Sequence, residues 1–217
     1  MTPTNTTFRR VAGPARMALA ALAATTLLGA CAPLVVGGAM VGGALMVTDR
    51  RTSGAQVEDQ AIELKAANRV REAVGNRGHV NITSYNRAVL ITGEAATEAD
   101  RTAIEQAVSR VENLRSVLNE MAVMGSSSMT SRSSDLIIAG RVKAAFVDAK
   151  DMHANAFKVV TERGVVYLMG RVTEREAARA SDIARAIPGV LKVVRVFEIL
   201  TEAELADLQR RTEPAKK

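Results

Sequence analysis

Cysteine and histidine, the residues that most often serve as nucleophiles, bases and transition-metal ligands, are rare in this chain. Its 217 residues include a single cysteine, Cys31, and two histidines, His79 and His153, that lie far apart in the sequence. One thiol excludes an internal disulfide and a zinc site built on cysteines, and neither histidine has a partner at metal-ligand spacing. No phosphate-binding loop and no Gly-x-Ser-x-Gly motif is present. The sequence therefore predicts no enzymatic activity, no metal and no cofactor.

The chemistry that Cys31 suits is the attachment of a lipid. Arginines precede an apolar stretch over residues 17–28, and no acidic residue occurs before Asp49. This order of positive charge, apolar stretch and small residues is typical of a secretory signal. Residues 28–31 read Leu-Gly-Ala-Cys, which resembles the lipobox of bacterial lipoproteins. By that resemblance, residues 1–30 are a signal peptide that is removed, and the thiol of Cys31 is acylated.

The N-terminal region has a second interpretation. Residues 17–48 carry no charge, and this length exceeds the ~20 apolar residues that a membrane-spanning helix needs. An uncleaved transmembrane anchor is therefore the alternative. We favour a lipidated cysteine and an apolar, glycine-rich tether over residues 31–56, because Pro33 and two Gly-Gly pairs interrupt the run. Several acyl chains on one cysteine would make the anchoring stable.

After the tether, one pattern of elements occurs twice. Each copy has a helix with one apolar face, two β-rich runs joined by a two-residue turn, a second helix and a final strand. The order αββαβ predicts an α+β fold of two tandem sandwiches, each a three-stranded sheet packed with two helices. The predicted strands cover residues 79–85, 88–95 and 115–123 in the first copy, and 157–162, 165–172 and 192–200 in the second.

The repeat sets the predicted domain limits at residues 57–124 and 135–200. The segment between them, residues 125–134, is rich in serine and has no periodicity, which predicts a short flexible linker. Residues 201–217 begin with a threonine–glutamate capping pair, which predicts a short helix and a frayed tail. The last strand, residues 192–200, is apolar on both faces. We expect one face to contact the helices and the other to contact the first repeat.

The apolar faces of the first helices provide a way to align the two copies. This alignment sets Lys65 opposite Ile137, so that a soluble residue in one copy corresponds to an apolar one in the other. Thr97 and Thr173 are predicted to cap the second helices. The aligned faces are Ala66, Val70, Ala73 and Val74 in the first copy, and Ile138, Val142, Ala145 and Phe146 in the second.

Two segments of the repeat resemble the sequences of a known family. These are "NITSYNRAVLITGEA", residues 81–95, and "VYLMGRVTEREAARASDIARAIPGV", residues 166–190. With the lipobox, they make the chain similar to the dual-BON-domain outer-membrane lipoproteins, over residues 28–200. The resemblance implies a lipid-anchored protein that faces the periplasm, binds phospholipid, supports envelope integrity and is enriched at division sites. Ala32 follows the cysteine where enteric lipoproteins retained at the inner membrane have aspartate, which by resemblance also predicts the outer membrane.

The second copy is the better candidate for contact with a membrane. It has 11 basic and 8 acidic residues over 133–200, whereas the first copy has 8 basic and 10 acidic residues over 57–123. Each Lys or Arg near anionic headgroups contributes roughly 1 kcal/mol. The first helix of the second copy combines apolar, small and basic residues outside its core face, as interfacial helices do. The predicted lipid-binding residues are Leu136, Ile137, Gly140, Arg141, Lys143 and Ala144.

Two alternatives remain at this point. Leu136 and Ile137 could instead pack on the core or on the first repeat. In the resembling family the lipid site is expected on this helix, usually with an aromatic residue, and no aromatic residue occurs there in this chain. The alternative function is a periplasmic adaptor that binds an envelope protein without lipid specificity. A nucleic-acid partner is not predicted, because the basic chain lacks the aromatic residues that stack on bases.

Overall fold

The computed structural model describes residues 49–212, with side chains described through residue 210. The predictions for Cys31, for the signal peptide 1–30 and for most of the tether lie outside the described residues. The same is true of the alternative transmembrane anchor. Within the described range, no helix has both the length and the apolar character needed to cross a bilayer.

The first domain has the predicted order of elements. The central strand β2 pairs antiparallel with β1 and parallel with β3 and β4. The predicted strand over residues 115–123 is interrupted at Glu120 and Met121, where the buried Met121 side chain enters the core. The elements are α1 (Ser53–Val74), β1 (His79–Tyr85), β2 (Ala88–Ala95), α2 (Glu98–Ser109), β3 (Ser116–Asn119) and β4 (Ala122–Val123).

The second domain repeats this arrangement with one continuous last strand. Strand β6 is central, and it pairs antiparallel with β5 and parallel with β7. Thr173 caps α4 in a full capping box, as Thr97 caps α2 with a single bond, and both caps were predicted. The elements are α3 (Met129–Asp148), β5 (Phe157–Glu162), β6 (Val165–Val172), α4 (Glu174–Arg185), β7 (Lys192–Ile199) and α5 (Glu202–Thr212), with a 3-10 turn at Ala154–Ala156.

The prediction of a flexible linker over residues 125–134 is wrong in its second half. Helix α3 begins at Met129, and the Ser128 hydroxyl caps it by accepting a hydrogen bond from the Ser131 N–H. The hydroxyls of Ser133 and Ser134 donate to backbone carbonyl oxygens four residues earlier in the helix. The serines that suggest a linker by composition are therefore satisfied inside the helix.

Each domain has its own apolar core between its helices and its sheet. In the first, the α1 residues that enter the core are spaced four apart, from Ile62 to Val74. Ala73 belonged to the predicted core face, but it is exposed, because the buried stripe continues from Val70 to Val74. In the second, Ile138, Val142 and Phe146 of α3 form the corresponding stripe.

The two sheets pack on each other through a third apolar core. Tyr85 and Leu90 from the first domain meet Tyr167 and Met169 from the second, and all four side chains are buried. The last strand β7 contributes to both sides, because Val193 and Phe197 enter the core of its own domain while Val194 and Val196 face the first domain. This confirms the prediction that both faces of β7 are covered. The layers are therefore helices, sheet, sheet, helices.

Polar contacts surround this inter-sheet core. Five pairs join the domains through a carboxylate: Arg163–Glu94 at 2.6 Å, Lys158–Glu63 at 2.9 Å, Asn81–Glu162 at 2.8 Å, Asn86–Glu198 at 2.7 Å, and Arg115–Glu198. Such pairs fix the register of one sheet on the other, whereas an apolar surface alone is non-directional.

The residues just before α1 are part of the folded body. Arg50 forms two hydrogen bonds with the Glu176 carboxylate, at 2.7 and 2.6 Å, and a third with the Arg171 carbonyl oxygen. The side chains of Arg50 and Glu176 are only 8% and 5% exposed. We call Asp49, Arg50 and Arg51 the N-terminal clasp, because Arg50 ties the start of the first domain to the second.

The other arginine of the clasp faces the first domain. Arg51 pairs with Asp49 and with Asp59 of α1, and its guanidinium lies 4.2 Å from the centre of the Tyr85 ring. The predicted tether, residues 31–56, was too long at its C-terminal end, since the clasp and the start of α1 at Ser53 are ordered parts of the fold.

A buried aspartate near the start of each first helix holds the neighbouring hairpin turn. Asp59 accepts hydrogen bonds from the N–H groups of Asn86 and Arg87, both at 2.7 Å, and Asp135 accepts from those of Arg163 and Gly164. These turn residues have positive φ, as two-residue hairpin turns require. Burial opposes the charge of Asp59, but the Arg87 N–H, the Ser84 hydroxyl and Arg51 together outweigh it and lower its pKa.

Acid is expected to destabilise this fold. Burial disfavours the charged forms of Asp59, Glu94 and Glu176, yet their hydrogen bonds and ion pairs outweigh it and lower each pKa. Their contribution is present above their unfolded pKa values, near 4, and is lost as the pH falls through the folded values. Urea midpoints measured from pH 7 to pH 3 should therefore fall steeply below about pH 4. A midpoint that does not change over this range would contradict the assignment.

Glu162 is expected to act in the opposite direction. Burial raises its pKa, and the nearby Glu94 and Asp135 add to the rise. Its ionised form therefore costs stability at neutral pH, and this cost disappears below the unfolded pKa. Glu162→Gln should raise the urea midpoint at pH 7 and leave it unchanged near pH 4, while the exposed control Glu112→Gln should change neither. A lower midpoint for Glu162→Gln at pH 7 would show that the charge stabilises.

Candidate functional site

Helix α3 is held against the second domain by one face only. Asp135, Ile138, Val142 and Phe146 are buried on that face, and the hairpin turn donates two hydrogen bonds to Asp135. The opposite face of α3 contacts no other element of the described chain closely enough to bury it. It is therefore a rigid, outward-facing helical surface.

All six predicted lipid-binding residues lie on the exposed part of α3. Leu136 is 75% exposed and Ile137 is 56% exposed, so the alternative in which they pack on the core or the first repeat is wrong. Gly140 and Ala144 continue the same surface and add no bulk. Large apolar side chains exposed next to each other on a helix need an explanation, because single exposed ones are common and adjacent ones are less so.

Two further apolar residues extend this surface, and the sequence analysis missed both. Met129 and Val147 are 74% and 71% exposed. Met129, Leu136, Gly140 and Val147 follow one another at intervals of seven, four and seven residues. These intervals place the four residues in one line along the helix. The signal was available in the spacing, but Met129 fell in the predicted linker. We call Met129, Leu136, Ile137, Gly140, Ala144 and Val147 the α3 stripe.

Basic side chains lie on both sides of the α3 stripe. Arg141 follows Ile137 by one turn, and Lys143 lies on the other side of Leu136. Both are exposed, and neither forms an ion pair with another residue of the described range 49–210. Unpaired cations beside exposed aliphatic side chains form a surface that suits an interface between apolar and anionic phases.

Comparison with known proteins assigns the family. A model of the BON domain matches residues 59–125 and 134–201, which together make up more than half of the chain. The chain belongs to the BON-domain family. The two matches correspond to the two αββαβ units, and the α3 stripe lies on the first helix of the second BON domain.

Two curated BON-type relatives share most of the chain. The chain is 37% identical to the outer membrane lipoprotein DolP of Haemophilus influenzae over 182 residues, which cover 82% of this chain and 93% of the relative. It is 29% identical to a 21 kDa hemolysin of Actinobacillus pleuropneumoniae over 151 residues, which cover 69% of this chain and 78% of the relative.

A solved structure shows a weaker likeness. The C-terminal domain of CdsD, a structural protein of the type III secretion system of Chlamydia trachomatis, is 10% identical. The match covers 62% of this chain and 96% of that one with a TM-score of 0.28. At this score the likeness carries no argument about the arrangement of the two BON domains here.

The buried aspartates give the correct alignment of the two BON domains. Asp59 and Asp135 have the same role, so Ile62 corresponds to Ile138. The sequence-based alignment, which set Lys65 opposite Ile137, is therefore wrong by one helical turn. Lys65 instead corresponds to Arg141.

The corrected alignment strengthens the contrast between the BON domains. Where the second domain has Leu136, Ile137, Ala144 and Val147, the first has Gln60, Ala61, Asn68 and Arg71. At Gly140 and at Ser133 the first domain has the more apolar residue, the exposed Leu64 and Val57 respectively. The first BON domain thus has two large exposed aliphatic side chains on this surface, Val57 and Leu64, whereas the second has four, Met129, Leu136, Ile137 and Val147.

The described residues offer little for catalysis. Within residues 49–210, no three histidine, aspartate or glutamate side chains are grouped so that they could hold a metal ion. Carboxylates with a shifted pKa lie between the domains, at helix caps or, for Asp59, beside a hairpin turn, and none lies on the α3 stripe. That the protein is not an enzyme stays a prediction.

Proposed function

We propose that this BON-domain protein is an outer-membrane lipoprotein that faces the periplasm and binds anionic phospholipid through the α3 stripe. Its anchor is the acylated Cys31, and by family resemblance it supports envelope integrity and is enriched at division sites. The identity of 37% with an outer membrane lipoprotein, over most of both chains, supports the location. The single observation that carries the binding proposal is the exposed α3 stripe with Arg141 and Lys143 beside it.

Physical chemistry gives this surface a consistent role. The aliphatic side chains of the stripe would enter the boundary between headgroups and acyl chains, with the helix lying flat. Arg141 and Lys143 would meet phosphates, with their methylene stems along the apolar surface. Gly140 and Ala144 allow the helix backbone to approach the membrane closely. A lipid anchor keeps the α3 stripe at a high local concentration beside the membrane, so a modest affinity for lipid is sufficient.

Vesicle binding tests the proposal directly. The soluble protein from residue 48 onward should sediment with vesicles that contain phosphatidylglycerol, much less with pure phosphatidylcholine vesicles, and less at high salt. Arg141→Glu with Lys143→Glu should weaken binding by about 30-fold or more, since each cation near the surface contributes roughly 1 kcal/mol. Leu136→Asp with Ile137→Asp should weaken it by about 100-fold or more, because burying each side chain contributes about 1.5–3 kcal/mol.

A matched control comes from the first BON domain. Leu64→Asp with Val57→Asp adds the same two charges at exposed aliphatic residues of α1, the helix that corresponds to α3, and should leave vesicle binding unchanged. Equal losses from this double variant and from Leu136→Asp with Ile137→Asp would show that any added acidic residues reduce binding, and would contradict the assignment of binding to the α3 stripe. Binding that ignores lipid charge would favour the alternative function, an adaptor for an envelope protein.

A further inference from the structure

The first BON domain has an open groove along its edge strand β1. The groove has a volume of about 640 Å³ and lies between β1 and helix α1. Leu64, Ala67 and Val70 form its helical side, and Val80 and Ile82 form its strand side. Strand β1 pairs with β2 on one side only, so its other edge faces the groove. Such an edge presents unpaired backbone donors and acceptors that can accept another strand.

The register identifies which backbone groups face the groove. Tyr85 and Ala88 flank the two-residue turn and form a hydrogen-bonded pair of the antiparallel ladder. Because bonded and non-bonded pairs alternate, the N–H and C=O groups of Val80, Ile82 and Ser84 point away from β2. The contacts of Ser84 support this assignment, since its N–H donates to Glu63 and its carbonyl oxygen accepts from Lys158, both outside β2. Val80 and Ile82 are thus left for an incoming strand.

The two ends of the groove differ in charge, and this difference favours one orientation of a bound strand. Glu63, at the end where β1 finishes, is neutralised by Lys158 at 2.9 Å. At the end where β1 begins, Arg71 is exposed and forms no ion pair within the described residues 49–210, and Arg77 is close by. A strand added antiparallel to β1 would have its C-terminal end beside Arg71. A carboxylate there would find a cation without a partner.

A second copy of the chain fits this edge poorly. Antiparallel pairing of two β1 strands would place both α1 helices on the same face of the joined sheet. Neighbouring strands are about 4.8 Å apart, whereas packed helices need about 8–10 Å. Since α1 packs over β1, the second helix would occupy space that the first already fills. A bare extended peptide has no such helix.

We propose that the edge of β1 in the first BON domain binds an extended, apolar peptide segment of a partner protein, whose C-terminal carboxylate meets Arg71. The peptide pairs antiparallel with β1 through the backbone groups of Val80 and Ile82. Its side chains on one face contact Leu64, Ala67 and Val70. This site is independent of the α3 stripe, so either proposal can fail while the other holds.

Fluorescence anisotropy with the full-length chain in detergent tests the affinity. The probe is a labelled hexapeptide that alternates threonine and valine and ends in a free carboxylate, compared with the same peptide ending in an amide. The acid should bind about tenfold more tightly, as expected for one charge-assisted bond. Arg71→Glu should remove this difference, and Leu64→Asp should weaken both peptides. Leu136→Asp, on the α3 stripe, should change neither. Equal binding of acid and amide, unaffected by Arg71→Glu, would overturn the proposal.

Amide hydrogen exchange tests the pairing itself. The N–H groups of Val80 and Ile82 should exchange quickly in the free protein and become protected when the acid peptide is added, while those of Thr83 should be protected in both states. Protection of Val80 and Ile82 without peptide, together with a concentration-dependent dimer, would identify a second copy as the occupant and overturn the proposal. Peptide binding that appears only after residues 211–217 are removed would identify the chain's own tail and would also overturn it.

Discussion

Replacing Arg50 with alanine is expected to lower the free energy of unfolding by about 3–5 kcal/mol. The substitution removes both hydrogen bonds to the buried Glu176 carboxylate and leaves that charge, 5% exposed, without its partner. It also removes the hydrogen bond that Arg50 donates to the Arg171 carbonyl oxygen. Urea unfolding monitored by circular dichroism measures the change. The pair joins the two BON domains, so a second transition is expected if the domains separate before they unfold.

The control for Arg50 is an arginine of similar chemistry in a different environment. Arg185→Ala breaks an exposed pair with Asp182 one turn away on α4. Exposed pairs of this kind contribute about 0.3–0.5 kcal/mol, so this variant should unfold close to the original midpoint. Arg50→Met combined with Glu176→Gln should recover much of the loss, because no buried charge is left unpaired and the glutamine oxygen can still accept from the Thr173 N–H. Equal effects of Arg50→Ala and Arg185→Ala would mean that the N-terminal clasp is not a stabilising feature.

Replacing Gly93 with alanine is expected to have the second largest effect on stability, about 3 kcal/mol or more. Gly93 lies in β2 with φ near +107°, and an added Cβ would be 2.0 Å from the carbonyl oxygen of His79 on β1. That oxygen belongs to the backbone, so the clash is relieved only by moving one strand of the sheet. Thermal unfolding followed by circular dichroism should show a large drop in midpoint.

A second glycine supplies the opposite expectation. Gly140 is in the middle of α3, and an added Cβ would meet no atom within 4 Å. Gly140→Ala should therefore stabilise the protein by up to roughly 1 kcal/mol, since alanine is the better helix former. Gly140 belongs to the α3 stripe, but alanine is small and apolar like the neighbouring Ala144, so vesicle binding by this variant should stay the same. If Gly93→Ala were as stable as Gly140→Ala, the tight contact between β1 and β2 would be absent in solution.

The strands were the most predictable part of the fold. Residues 79–85, 88–95, 157–162 and 165–172 have the bounds that the sequence predicts. β-Branched residues with turn-forming residues between them define such hairpins locally. The prediction of a flexible linker over the serine-rich residues 125–134 failed because composition is a weaker local signal than a strand pattern. Composition alone cannot show that a serine will cap a helix or bond back along it.

Features that depend on distant residues could not be predicted. Arg50 and Glu176 are separated by most of the folded chain, and only the packing of the two sheets brings them together. The role of Asp59 and Asp135 depends on where the hairpin turns dock, so the helices were aligned by apolar residues that fit two registers. The helix period placed Leu136 and Ile137 off the core face but left open whether the first repeat covers them, and the groove beside β1 required knowledge of which strand is at the edge.

The apolar contact between the two sheets has an evolutionary consequence. A gene that encoded only one unit of this kind would leave Tyr85 and Leu90, or Tyr167 and Met169, facing water, and its product would tend to aggregate. A gene for this fold therefore has to keep both units, with their complementary apolar faces, together. Chimaeras that exchange one half between distant relatives should fold only when the matching half, with its complementary aromatic and aliphatic surface, is transferred too.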